Sequence, residues 1–196
     1  MRHESLMLDL GTRAPDFELP DTSGRIYTLG DFSIAPGLLV AFLCNHCPFV
    51  QHLLDGFVAF AAEYGARGLA TVAISSNDVD AFPEDGPEEM ARLAESRRFT
   101  FPYLFDESQS AAKAFGAVCT PDFFLFDANR QLTYRGQFDR SRPQTVHTQG
   151  NAIPVSGSDM RAAADAVLAG LPAPLEQFPS IGCNIKWKPG NEPEWG

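Results

Sequence analysis

The sequence has no apolar run long enough to cross a bilayer. Its longest, Leu38–Cys44, falls far short of the roughly 20 residues that a membrane helix needs. The opening MRHESLMLDLG lacks the continuous apolar stretch and the small-residue cleavage pattern of a secretory signal. Basic residues are scarce: Lys+Arg 15 against Asp+Glu 25 gives a net charge of −10. That balance argues against a general nucleic-acid binder, which needs a basic face, and gives no pull toward anionic lipid. Neither GxGxxG nor GxxxxGK[ST] occurs, so nucleotide binding has no motif to rest on. The EF-hand spacing is absent too, as are internal repeats and low-complexity tracts.

Cysteine is sparse, with four in 196 residues. In the reducing, cytoplasmic setting expected without a signal peptide, four cysteines point to catalysis, metal binding or packing rather than to a disulfide framework. Hydrophobic residues, at 44%, suffice for one sizeable core. The expectation is one decorated domain over residues 1–171, with a Pro-rich tail, 172–196, packed on it.

What is present reads as alternating strands and helices. Residues 11–32 form extended pieces about the turn Asp21–Gly24, with Phe17 and Leu19 alternating. Leu38–Leu43 and Leu69–Ser75 are continuous apolar runs, the pattern of strands buried on both faces. Between them Phe49, Val50, Leu53, Leu54, Phe57, Phe60 and Ala61 keep helical spacing, with Pro48 in the first turn. Pro87–Arg98 and Gln109–Phe115 predict helices, and Phe101–Phe105 is short and extended. Asp122–Phe126 and Leu132–Phe138 predict a hairpin about Asp127–Arg130. A polar loop, 139–158, precedes a helix over Asp159–Leu171 with Ser158 or Asp159 as N-cap. In the tail, Ile181, Cys183, Ile185 and Trp187 alternate onto one face. The layout is α/β around a central mixed sheet flanked by helices.

The stretch FLCNHCPFV (42–50) places Cys44 and Cys47 where a central strand ends and a helix begins. Unsatisfied N–H groups and the positive dipole end there stabilise a thiolate, and cysteines at i and i+3 can join as a disulfide. His46 between them adds a donor that favours the reduced form. Structural zinc would need four ligands. Cys44, His46, Cys47 and His52 crowd within nine residues, with no second CxxC or HxxxH, so no metal is expected.

Three groups of residues resemble one family. Ala14-Pro15-Asp16-Phe17 with Leu29…Asp31-Phe32 resembles the opening of peroxiredoxins. Thr120-Pro121 followed by DFFLFD resembles the cis-proline loop and next strand of thioredoxins. With CNHCPFV and the tail SIGCNIKWKPGNEP, they resemble the redoxin class, the alkyl hydroperoxide reductase/thiol-specific antioxidant family, in its peroxiredoxin-like subgroup carrying a CxxC. The resemblance implies a thioredoxin-like fold with an N-terminal β extension. It implies that Thr120 offers its backbone to an incoming strand while Pro121 lies against the dithiol. No cofactor beyond the redox-active disulfide is implied. The partners implied are a protein or small-molecule disulfide, or a peroxide, with an electron-donating thiol system.

The departures from the family matter. Peroxiredoxins keep a Thr/Ser three residues before the peroxidatic Cys, and an arginine across the site. Here Cys44 stands at the first position and Pro121 at the second, leaving Arg135, Arg140 or Arg142 as possible substitutes. By thioredoxin logic, Cys44 is the exposed attacking thiolate and Cys47 the buried resolver; by peroxiredoxin logic, Cys47 attacks peroxide and Cys44 condenses with it. The first assignment is preferred. The leading expectation is thus a thiol–disulfide oxidoreductase. A thiol peroxidase is the alternative, and a non-enzymatic redox-sensing or metal-holding module the second alternative. Cys119 and Cys183 are auxiliary thiols or packing residues. The acidic run Asp78, Asp80, Glu84, Asp85, Glu88 and Glu89 reads as a solvated loop and helix start, and Arg142 and His147 read as surface.

Overall fold

The computed structural model describes residues 2–145 and 148–194; His147 lies outside them. The chain opens with β1 (Arg2–Glu4) and a hairpin of β2 (Glu18–Pro20) and β3 (Ile26–Thr28), turned by Asp21, whose carboxylate accepts from Ser23 N and Arg25 N. Next come β4 (Gly37–Phe42), α1 (Pro48–Gly65), β5 (Ala70–Ser75), α2 (Pro87–Ser96) and β6 (Tyr103–Phe105). Then follow α3 (Ser110–Phe115), β7 (Cys119–Thr120), β8 (Asp122–Asp127) and β9 (Leu132–Gly136). A small hairpin, β10 (Gln144–Thr145) with β11 (Thr148–Gln149), interrupts the long loop before α4 (Ser158–Leu168). The tail contributes β12 (Ile181–Asn184).

Five strands form the main sheet in the order β6-β5-β4-β8-β9. The β4/β5 and β5/β6 pairs are parallel, and β4/β8 and β8/β9 are antiparallel. This is the mixed sheet of a thioredoxin-like fold. Strand β4 is buried at every position because it feeds two cores. Leu39, Ala41 and Leu43 face α1 and α4, while Leu38, Val40 and Phe42 face α3 and the N-terminal hairpin residues Phe17 and Leu19. Among the described residues no helix is long and apolar enough to cross a membrane.

Several boundaries differ from the sequence expectation for identifiable reasons. Helix α4 is capped by Gly157 at φ +66 rather than by Ser158 or Asp159. A Cβ on Gly157 would meet the Phe138 ring at 2.5 Å, and its N–H donates to Asp139 Oδ2 at 2.6 Å. Asp139 also accepts from Ser141 N and Ser156 N, so one buried carboxylate ties together both ends of the long loop. Gln109 lies outside α3 at φ +62, where its buried amide donates to the carbonyls of Ser76 and Lys186.

The tail alternation does not lie on one face. Ile181 and Cys183 pack against the α1 side, whereas Ile185 and Trp187 pack against the α3 side. The cause is that β12 joins a second sheet, β1-β12-β7, at the edge of the domain.

Candidate active site

Cys44 follows β4 and Cys47 is the N-cap of α1, with Pro48 as its first helical residue. Both side chains are buried, Cys44 to 1% and Cys47 to 0% exposure. An exposed Cys44, expected by thioredoxin logic, is therefore not observed. The reason lies across the site: the Thr120–Pro121 peptide bond is cis, and Thr120 covers both sulfurs. Cys44 Sγ lies 3.3 Å from Thr120 Oγ1, and the Cys47 thiol lies 3.1 Å from the Thr120 carbonyl, to which it can donate.

The surroundings favour negative charge on Cys47 over Cys44. Burial alone would push its thiol up. Donation from the Cys183 and Cys44 thiols, from the Val50 N–H in the first helical turn and from the Thr120 hydroxyl reverses that and brings it down to about 2. Cys44 is raised well above its ordinary value, first because its thiol donates to Cys47, then by burial and by the Asp85 charge. These directions favour charge on Cys47 and a proton on Cys44, the reverse of the preferred assignment of Cys44 as the attacking thiolate.

His46 does not point its charge freely at the sulfurs. Its Nδ1 lies 2.6 Å from Asp85 Oδ2, and its ring stacks on Phe82 at 5.4 Å with a 10° interplanar angle. The bond to Asp85 raises the His46 pKa against the cost of burial. Asp85 is the residue that sequence reasoning missed. Read as part of a solvated acidic run, it is instead 0% exposed. Its Oδ1 accepts from Asn45 N at 2.7 Å and His46 N at 3.2 Å, and its Oδ2 from His46 Nδ1 and Asn77 Nδ2. It thereby holds the loop between the two cysteines. Asp78 is buried as well, its N–H bonded to the Lys186 carbonyl, so the acidic run is only partly solvated. No local signal marks Asp85, because four of its bonds come from residues that fold toward it.

Cys44, His46 and Asp85 each offer one ligand atom, all within 4.8 Å of one another. Each Asp85 oxygen already accepts two N–H donors, so a metal would displace bonds that hold the loop.

The candidate arginines are engaged elsewhere. Arg135 donates to the Leu8 carbonyl and Gln177, and Arg140 stacks on Phe178. Arg142 donates to the carbonyls of Asp139 and Ser141 and to Gln137. It is half-buried rather than plainly surface, and it lines a shallow crevice beside Pro121, Phe49 and His52.

The two auxiliary thiols diverge. Cys119 is fully buried, 3.6 Å from the Pro121 carbonyl, and its pKa is raised, chiefly by burial. Cys183, half-buried on β12, reaches the site and donates to Cys47. The backbone of Thr120, expected to receive an incoming strand, is paired with Cys183 of the chain's own tail.

Residues 10–135, which contain the dithiol and the Thr120-Pro121 turn, match the model of the AhpC/TSA family. The chain belongs to the AhpC/TSA family. The chain is 26% identical over 129 residues to the thiol-disulfide oxidoreductase ResA of Geobacillus thermodenitrificans, covering 66% of this chain and 70% of that one. It is 27% identical over 107 residues to a putative peroxiredoxin of Mycobacterium tuberculosis, covering 55% of this chain and 63% of the relative. A crystal structure of a hypothetical protein from Sinorhizobium meliloti 1021 superposes with a TM-score of 0.91 at 51% identity, covering 95% of this chain and 99% of the other. The family match stops at residue 135, whereas this last likeness takes in nearly the whole chain.

Proposed function

We propose that this AhpC/TSA-family chain is a thiol–disulfide oxidoreductase that cycles Cys44 and Cys47 between dithiol and disulfide. The observation that carries the reading is the contact between the two sulfurs at the start of α1, where the surroundings lower the Cys47 thiol and raise that of Cys44. The Cys47 thiolate attacks one sulfur of a substrate disulfide, forming a mixed disulfide and releasing the other half as thiolate. Cys44 then gives up its proton and attacks Cys47 Sγ. The Cys44–Cys47 bond forms, the mixed disulfide breaks, and the substrate leaves fully reduced. A thiol reductant returns the pair to the dithiol. The pair itself carries the electrons, so no further cofactor enters, and a reducing cytoplasm suits such a cycle.

A second reading is favoured by one observation, the Cys47 thiolate itself. It can attack a peroxide to give a sulfenic acid, and Cys44 then condenses with it, expelling water. Against this reading, Cys44 and Pro121 stand where a peroxidase keeps a hydroxyl and an arginine, and Arg135 and Arg140 face other partners.

The test compares wild type, Cys44→Ser and Cys47→Ser with a small disulfide and with hydrogen peroxide under steady-state reductant. Disulfide turnover lost in both variants supports the oxidoreductase. Fast peroxide consumption that survives Cys44→Ser but not Cys47→Ser, without disulfide turnover, contradicts it in favour of the peroxidase.

A further inference from the structure

The tail strand lies on the edge beside the dithiol, with Cys183 directly opposite Thr120 and Asn184 opposite Cys119. Its seat is built into the fold. A Cβ on Gly182 would meet the Thr120 carbonyl oxygen at 2.0 Å, so only glycine allows this approach. Upstream, Ser180 donates its hydroxyl to the Gly136 carbonyl at 2.6 Å and its N–H to Ser5 Oγ at 2.8 Å. Downstream, Ile185 N donates to the Val118 carbonyl, and Lys186 N to Asn77 Oδ1. The strand places Cys183 opposite Thr120, whose carbonyl lies against Cys47 Sγ, and so brings the Cys183 and Cys47 thiols into interaction. Cys47 thus stands between two thiols, Cys44 on one side and Cys183 on the other. Of the four cysteines, Cys183 alone is not fully buried.

We propose that Cys183 is a third redox thiol of this centre, and that the disulfide passes from Cys44–Cys47 to Cys47–Cys183. The proposal rests on the dithiol reading above. In the step, Cys183 attacks Cys47 Sγ, the Cys183–Cys47 bond forms, the Cys44–Cys47 bond breaks, and the Cys183 proton ends on Cys44. No electrons are gained or lost. The step carries oxidation from a pair of buried sulfurs to one with a half-buried sulfur, where a thiol reductant can reach it. The Cys183 thiol is pushed up first by its interaction with Cys47 and then by burial, while Lys186 pulls it down. Once Cys47 is in a disulfide its contribution is gone, leaving burial to raise the thiol and Lys186 to lower it.

The experiment oxidises reduced full-length protein, as wild type and as Cys44→Ser, with oxidised glutathione. After acid quenching and alkylation of free thiols, non-reduced tryptic peptides are read by mass spectrometry. Peptides 26–67 and 162–186 become linked only if Cys183 joins Cys44 or Cys47, and Cys44→Ser leaves Cys47 alone on the first. The expected result is the link as the main product in Cys44→Ser, and the link together with Cys44–Cys47 in wild type. Absence of the link in either protein, with Cys44–Cys47 still forming in wild type, overturns the relay and leaves the dithiol reading standing. Wild type that forms neither disulfide overturns the dithiol reading instead.

Discussion

His46 Nδ1 lies 2.6 Å from Asp85 Oδ2, a carboxylate with no solvent exposure that reaches the CxxC loop from 39 residues away in the chain. Four N–H donors converge on it, from Asn45, His46 twice and Asn77. Removing the carboxylate leaves them facing a void. Asp85→Ala is therefore expected to destabilise the fold by about 2–4 kcal/mol, read from the urea midpoint. Thiol reactivity should change as well, because the Asp85 charge is one of the causes holding the proton on Cys44.

The same pair gives a pH signature. His46 is raised above its ordinary 6.5, first by its bond to Asp85, so its contribution is complete below 6.5 and is lost as pH rises through the higher folded value. For Asp85, burial is the largest influence and pushes up, but the bonds from His46 and Asn77 win and lower it below 3.8. Its contribution is present above 3.8 and disappears as pH falls through the lower folded value. The stability difference between wild type and His46→Gln should form a plateau between these limits and shrink on both sides. A difference that stays constant from pH 4 to pH 9 on the order of the measurement error would contradict the pair.

Thiolate absorbance near 240 nm should persist in the reduced protein down to strongly acid pH, because Cys47 is held down to about 2 by its donors. Cys47→Ser is expected to abolish the acid-stable signal. Cys44→Ala and Cys183→Ala should each keep it but move its midpoint upward, since each removes one donor to the Cys47 sulfur. A signal lost in Cys44→Ala and kept in Cys47→Ser would return the thiolate to Cys44.

Two glycine substitutions separate a required close approach from a permissive position. Gly182→Ala drives a methyl into the Thr120 carbonyl and is expected to cost about 1–3 kcal/mol as the tail shifts from its seat. Gly65→Ala, at the exposed end of α1 with nothing within 4 Å of the new Cβ, should be neutral or stabilising by up to about 1 kcal/mol. Thermal unfolding of the two variants side by side checks the contrast.

These particulars also mark what could be read in the sequence. The site at the β4–α1 junction was legible because its signals are local: an apolar run, a proline in the first turn and helical spacing after Cys47. Asp85 was not, because in a run of carboxylates only the fold decides which one turns inward to meet Asn45 and His46. The tail was half legible. Its alternation marked a strand, but β12 is held by β1 and β7, from the start and the middle of the chain, and those partners send Ile185 to the opposite core from Cys183. The groups that lower Cys47 escaped for the same reason, since two of them, Thr120 and Cys183, are remote in sequence.

The central claim is a reversible Cys44–Cys47 couple, and an equilibrium redox titration in the Cys183→Ser background tests it most directly. In glutathione buffers, with acid quenching and counting of free thiols, one two-electron transition is expected, with a tenfold change in ratio per about 30 mV. The Cys44–Cys47 disulfide should accumulate, and the transition should vanish when either cysteine is also replaced. A protein that keeps both thiols free across the whole range, or that titrates unchanged without Cys44, would contradict it.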